Sequence, residues 1–235
     1  MLILAHDYET TGVNAAACGV VQSALCFVNL EQDGTFEIAE RDVQLLHPGE
    51  PIPAGASGVH GIFDHHVVDM PDYRDYLSEQ FAVVGDTDIE AVLGYNNKGF
   101  DDKIARRCGM GEYQAIDLCV AAKRFKTMGV MEKANLGAAY LALTGRQPQN
   151  AHDAMADVQM TLELVQPSMI LTKCSTVTEF MAWMDAPWAS HQMLMPFGKH
   201  KGVKLCNLPK TYIKWILGED MKLDADLKLG LEMMQ

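Results

Sequence analysis

The sequence predicts an α/β fold, a mixed β-sheet flanked by helices, with a small module appended at the C-terminus. Three strand-like runs, at 2–6, 20–30 and 36–46, follow one another through short turns such as Gln32-Asp33-Gly34. From residue 90 the pattern changes to alternating strand and helix signals. No internal repeat or low-complexity tract interrupts the chain.

The first strand is the apolar run Leu2-Ile3-Leu4-Ala5. A helix is predicted near 72–80. The apolar Ala91-Val92-Leu93-Gly94-Tyr95 forms the strand 90–95 and runs into a helix at 100–108. A further short strand is expected near 113–117, and helices near 117–125, 133–143 and 153–165. The helix 133–143 stops at Thr144-Gly145, the residue pattern of a C-terminal cap. Gln166-Pro167 closes the main domain, placed at 1–171, and residues 172–235 form the appended module. In that module, Thr178 to Met184 reads as a short amphipathic helix. Tyr212, Trp215 and Ile216 fall at i, i+3 and i+4 of another, which predicts a small core of their own.

The chemistry concentrates in Asp7-Tyr8-Glu9-Thr10-Thr11-Gly12. Residues two apart on a strand point to the same side, so Asp7 and Glu9 project together. Two carboxylates side by side repel unless a cation lies between them, which predicts a divalent metal site. An acidic surface strand is the alternative, and the Leu and Ile immediately upstream argue against it. Partners for the pair follow along the chain. Asp101 and Asp102 open the helix after the strand 90–95, and His152-Asp153-Ala154-Met155-Ala156-Asp157 opens a late amphipathic helix. Five residues inside one helix correspond to about 140° of rotation. His152 and Asp157 therefore converge only if the histidine sits at or before the helix start and the acid lies in the second turn.

In this order, Asp-x-Glu-Thr-Thr-Gly, Asn-x-x-x-Phe-Asp and His-x-Ala-x-x-Asp resemble the DEDDh branch of the DnaQ-like 3′→5′ exonucleases. Val59-His60-Gly61-Ile62, followed by Pro71-Asp72-Tyr73, is similar to another stretch of that family. The resemblance covers roughly residues 1–167 and implies an RNase H-like fold. It places four metal-binding acids on Asp7, Glu9, Asp101 and Asp157 and the catalytic histidine on His152. Two residues depart from the pattern: Tyr8 stands where the family has a small or aliphatic side chain, and Asn96 where relatives often carry His.

The implied cofactor is a pair of Mg²⁺ (or Mn²⁺) ions, because hard oxygen ligands select these over Zn²⁺. Such ions, about 3.5–4 Å apart, clamp the attacking and leaving oxygens of phosphodiester hydrolysis. Asp7 bridges them, Glu9 and Asp157 hold the ion beside the attacking water, and Asp101 serves the second. His152 takes the proton, a task for a group that titrates near neutral pH. The expected partner is nucleic acid, a single-stranded or frayed DNA 3′ end, with RNA left open and no membrane. Candidate substrate contacts are Thr10, Thr11, Gly12, His60 and Asn97, together with Val13 as an apolar wedge by resemblance. An ordinary, partly buried aliphatic is the other reading of Val13, and a satisfied turn histidine that of His60.

The module's Phe197-Gly198-Lys199-His200-Lys201-Gly202 and Pro209-Lys210-Thr211-Tyr212-Ile213-Lys214-Trp215 resemble the C-terminal module of the exonuclease X type within this family. Lys199 and Lys201 are the candidate backbone contacts there. The formal net charge of −12 at first opposes a nucleic-acid enzyme. Its distribution does not: residues 1–95 carry two arginines against sixteen acids, whereas 186–218 hold five lysines and no acid. Phosphate contacts need local positive charge only. A second basic cluster (Lys98, Lys103, Arg106, Arg107, Lys123, Arg124, Lys126) reads as solvated faces.

The six cysteines show no paired spacing, which predicts a reducing, cytoplasmic setting without structural zinc. No apolar stretch approaches the ~20 residues that span a bilayer. Other readings of the chain are an exoribonuclease, a polymerase proofreading partner, a catalytically silent nucleic-acid-binding scaffold and a zinc hydrolase built from His47, His60, His65 and His66. A homodimer is left open by the resemblance.

Overall fold

The computed structural model describes residues 1–189, 193–219 and 221–235. Its centre is a five-stranded mixed sheet formed by β1 (Leu2–Thr10), β2 (Val20–Leu30), β3 (Phe36–Leu45), β4 (Ala91–Gly94) and β5 (Gln114–Asp117), in the order β3-β2-β1-β4-β5. β1 is antiparallel to β2 and parallel to β4, which is parallel to β5. Eleven α-helices occur among the described residues. The first six are α1 (Ala54–His60), α2 (Asp64–Val67), α3 (Tyr73–Gly85), α4 (Asp101–Arg107), α5 (Leu118–Thr127) and α6 (Leu136–Thr144). They are followed by α7 (Ala154–Glu163), α8 (Val165–Thr172), α9 (Val177–Asp185), α10 (Lys210–Gly218) and α11 (Ala225–Glu232).

The alternation of β1 divides the molecule into two layers. Ile3 and Ala5 face the large core, which takes in α5, α6, α7, α8 and α9. Leu4 and Tyr8 face a second core against α3 and α4. β1 is longer than the apolar run suggests. Its polar half, from His6 to Thr10, stays paired to β2 through Thr10 with one irregularity at Glu9/Thr10.

Pro167 does not end the helical region. It sits at the third residue of α8, in a first turn whose backbone N–H groups have no partner inside the helix, so the missing N–H is tolerated there. α9 then continues the large core with Val177, Phe180, Met181 and Met184. The Val177 N–H donates to Gln32 O at 2.9 Å. The large core therefore extends past the boundary expected at 171. A separate core is formed by Met193, Met195, Leu205, Leu208, Ile213, Ile216, Leu227 and Leu231, joined by Tyr212. Trp215, expected in this core, is 53% exposed.

Arg124 fastens the two cores together. It belongs to α5 and is only 5% exposed, so it is no part of a solvated basic face. Its Nε donates to Asp226 Oδ2 at 2.7 Å, and its Nη2 donates to Ala186 O at 2.8 Å and Met184 O at 3.2 Å. Nη1 donates to Trp183 O, and the guanidinium lies 4.7 Å from the centre of the Trp183 ring. Asp226 Oδ1 in turn accepts from the Trp188 N–H at 2.9 Å. The cluster's Lys98, Lys103, Arg106, Lys123 and Lys126 are exposed, as a solvated face requires, with surface pairs from Lys98 to Asp185 at 3.0 Å and from Arg106 to Glu112 at 3.1 Å.

Removing one partner of a buried ion pair strands the other charge. Arg124→Ala is expected to lower unfolding stability by about 3–5 kcal/mol in a denaturant titration. Arg124→Lys should recover little of this, because an ammonium cannot reproduce the fork of contacts.

Candidate metal and nucleic-acid site

The site forms where β1 outruns β4. The last β1–β4 pair is Ala5 with Leu93, and β4 ends at Gly94. Asp7 and Glu9 thus stand beyond the carboxyl ends of the parallel strands, the place where open α/β sheets leave a crevice. Gly94 makes the turn into α4 possible: a Cβ there would lie 2.7 Å from Asn97 Cβ and 3.2 Å from His6 O. α4 then opens with Asp101, which is buried and close enough to Asp7 for their charges to interact.

The third contribution comes from the start of α7, which packs across β1. Asp153 is its N-cap, accepting from the Ala156 N–H, and Asp157 lies in the first turn. His152 precedes the helix and is exposed, with a left-handed φ of 69°. The histidine stands before the helix as the spacing requires, while Asp157 lies in the first turn rather than the expected second. Ligand-capable atoms of Glu9, His152 and Asp157 all lie within 4.8 Å of one another.

Electrostatics mark the same spot. Burial first, then repulsion from Asp101, Asp157 and Glu9, holds the Asp7 carboxyl well above its usual range. Burial and the charges of Asp157 and Asp101 push Glu9 up to about 8. Burial also raises Asp101, against the pull of His6, and pushes Asp157 up to about 6 against the pull of His152. No ion pair among the described residues involves any of the four. Asp157 Oδ1 is buried with no hydrogen-bond partner among the described residues. Hard oxygen donors, mutual repulsion and an orphaned acceptor together fit a divalent cation.

Several supports were not legible in the sequence. Gln22, opposite Glu9 in the β1–β2 register, donates to Asp153 Oδ2 and accepts from the Ala154 N–H, both at 3.1 Å. It ties the start of α7 to the sheet. On the other face of β1, His6 Nε2 and Asp102 Oδ1 are 2.9 Å apart and fully buried. Tyr8 Oη is 3.2 Å from His6 Nδ1, so Tyr8 belongs to packing behind the site. Burial would raise Asp102, but hydrogen bonds with His6 and Asn97 hold its carboxyl below the usual range.

The candidate substrate contacts divide. The Thr10–Gly12 turn is fixed by side chains rather than by glycine. Thr11 Oγ1 donates to Glu50 Oε1 at 2.6 Å and accepts from the Gly19 N–H at 2.9 Å, while Thr10 Oγ1 donates to Gly12 O. A Cβ on Gly12 would meet nothing within 4 Å, so this backbone has an open side. Arg107 braces the following loop through Ala15 O and Cys18 O. Val13 is 95% exposed, which excludes the partly buried reading.

His60 Nδ1 accepts from the Ile62 N–H, as a turn histidine does. Its buried Nε2 is unpartnered among the described residues, and the ring feels both the Thr10 backbone and His152. Asn97 is a correction. It is fully buried and donates to Asp102 at 3.1 Å, beneath the crevice rather than on its open side. Lys199 and Lys201 are exposed on the C-terminal module, outside the acidic cluster.

The raised acids give stability a pH dependence with a definite sign. Folded Glu9 keeps a proton up to about 8, whereas its ordinary value is 4.5. The metal-free fold therefore loses stability as pH rises through that window. Thermal melts in EDTA should show a falling midpoint from about pH 5 to 8 that Glu9→Gln flattens. Added Mg²⁺ or Mn²⁺ should raise the midpoint most at the upper end, where the carboxylates are ionised.

Residues 4–165 match the family described as exonuclease (RNase_T), and residues 189–233 match one described as "Putative quorum-sensing-regulated virulence factor". No curated protein matches the chain significantly. Among solved structures, E. coli exonuclease I in complex with a dT13 oligonucleotide is similar, with a TM-score of 0.62 at 21% identity over 77% of this chain and 43% of that one. The zinc-bound form of the E. coli enzyme with single-stranded DNA gives 0.62 at 21% over 74% and 41%. The dA16 complex gives 0.61 at 20% over 77% and 42%. The chain spans about two fifths of the length of these structures, and at such identities the likeness is one of fold, the RNase H-like exonuclease sheet with its flanking helices. The match over residues 4–165, two thirds of its length, establishes that the chain belongs to the exonuclease family.

Proposed function

We propose that this protein is a metal-dependent 3′→5′ exodeoxyribonuclease of the exonuclease X type, releasing 5′-mononucleotides from single-stranded or frayed DNA ends. The observation that carries the reading is the convergence of Glu9, His152 and Asp157 within 4.8 Å, with Asp7 and Asp101 beside them. Asp7, Glu9, Asp101 and Asp157 would hold two Mg²⁺ or Mn²⁺ ions, which when bound neutralise charge on the attacking and leaving oxygens.

The remaining steps belong to side chains of this chain. His152, on an exposed approach to the helix, takes the proton of the attacking water and is positioned by the N-cap and by Gln22. The open backbone at Gly12 seats the terminal nucleotide, and Val13 and His60 flank it. Lys199 and Lys201 add phosphate contacts from the C-terminal module. The similar exonuclease I structures hold DNA oligonucleotides, which favours DNA. RNA remains the second reading, since no side chain here identifies a 2′-OH sensor.

The test is degradation of 3′- and 5′-labelled single-stranded DNA and RNA with Mg²⁺, Mn²⁺ or EDTA. The expected result is metal-dependent release of mononucleotides from the 3′ end of DNA, abolished by Asp7→Ala. Tight binding without turnover in any metal would instead establish a silent scaffold. His152→Ala should lower kcat by about 10²–10⁴-fold with oligonucleotide affinity little changed, as loss of a general base requires. An equal drop in affinity would assign His152 to binding.

A further inference from the structure

A cavity that the acidic site does not use lies in the C-terminal module. It measures about 670 Å³ and is walled by Phe197, His200, Pro209, Tyr212, Trp215 and Met221. That size falls within the roughly 300–1,000 Å³ of pockets that take small ligands. Its walls are ordered by contacts among aromatic rings. The His200 and Tyr212 rings meet edge to face at 4.4 Å, and those of Tyr212 and Trp215 lie 5.6 Å apart, tilted by 36°. Gly198, at φ 70°, lets the chain pass the Tyr212 hydroxyl, from which an added Cβ would be 3.2 Å.

Three features of this cavity leave groups open to an occupant. Tyr212 and Ile216 enter the module's core, but Trp215 on the same helix keeps 53% of its surface in water. His200 Nε2 is buried without a hydrogen-bond partner among the described residues. Lys199 Nζ stands 5.6 Å above the Tyr212 ring, at the edge of the pocket. The sequence from 186 to 218 adds five lysines and no acid in a chain of net charge −12. Aromatic faces with a cation at the rim suit an occupant that presents both a flat π-face and negative charge.

We infer that this cavity is a second nucleic-acid site, which stacks one unpaired base of a single strand against Trp215 and holds the adjoining phosphates near Lys199. Stacking is tolerant of sequence because every base has a π-face, and it needs a positive rim only for the backbone. His200 Nε2 supplies a hydrogen-bonding group for the base edge or the phosphate. The inference deepens the nuclease reading and rests on it for the choice of polymer.

The test uses the full chain in EDTA, so that no strand is cut, with fluorescence anisotropy of labelled single strands at low salt. A thymidine oligonucleotide should bind more tightly than an abasic strand of the same length and charge. Equal affinity for the two would overturn the inference without any variant. Trp215→Leu should weaken the thymidine strand on the order of tenfold and leave the abasic strand unchanged, while Trp215→Phe restores binding. Variants that bind both strands like the parent, or lose both equally, would also overturn it.

The outcome separates from that of the nuclease reading. A chain that releases no nucleotide in Mg²⁺ or Mn²⁺ but discriminates the two strands through Trp215 sustains this site and sinks the exonuclease. An active chain indifferent to Trp215 does the reverse.

Discussion

Four carboxylates held together beyond the end of β4 repel one another, and much of the surrounding structure serves to keep them in place. The sheet register puts Asp7 and Glu9 on one side of one strand. Parallel pairing with β4 delivers Asp101 at the start of α4, and the Gln22–Asp153 contact pins the helix that carries Asp157. Behind the strand, the buried His6–Asp102 pair and Tyr8 fill the space, and His6 and Asn97 engage Asp102 Oδ1, so that carboxylate is held below its usual range while the four acids on the other face are raised. Without a cation the arrangement stores repulsion. With one, the same burial that raises the acids strengthens their hold on the ion, since a low-dielectric setting amplifies attraction as it does repulsion.

The parts of this site that are legible in the sequence are those set by local periodicity. Alternation on a strand predicts that Asp7 and Glu9 share a face, and the five-residue gap predicts that His152 lies outside the helix containing Asp157. Both depend on geometry within one element. What could not be read depends on partners distant in the chain. Gln22 has no signal of its own, because its role exists only opposite Glu9 in the register and beside a helix more than a hundred residues later. Asn97 lies next to a motif and so reads as a substrate contact, yet its side chain turns inward to Asp102.

The same distinction governs the fold. The five strands, and the helices flanked by clear stop signals, follow the pattern of apolar residues. Pro167 reads as a terminator, but a proline ends a helix only when it falls past the first turn. Trp215 fits the i, i+3, i+4 pattern of a core face. Its neighbours Tyr212 and Ile216 fill the small core, leaving the indole half in solvent. Arg124 sits in a basic run that looks solvated, and only the tertiary structure shows it enclosed by Asp226 and the end of α9.

That guanidinium makes the two folded parts chemically inseparable. A catalytic fragment cut before residue 188 would keep Arg124 and the carbonyls of Trp183, Met184 and Ala186, but would lose Asp226, the one carboxylate paired with it among the described residues. The module cut free would carry Asp226 with a cavity where the arginine had been. Grafting this C-terminal module onto another exonuclease is therefore a transplant that must take its socket with it: an arginine at the matching turn of α5, and a chain exit that presents its carbonyls to the same cation.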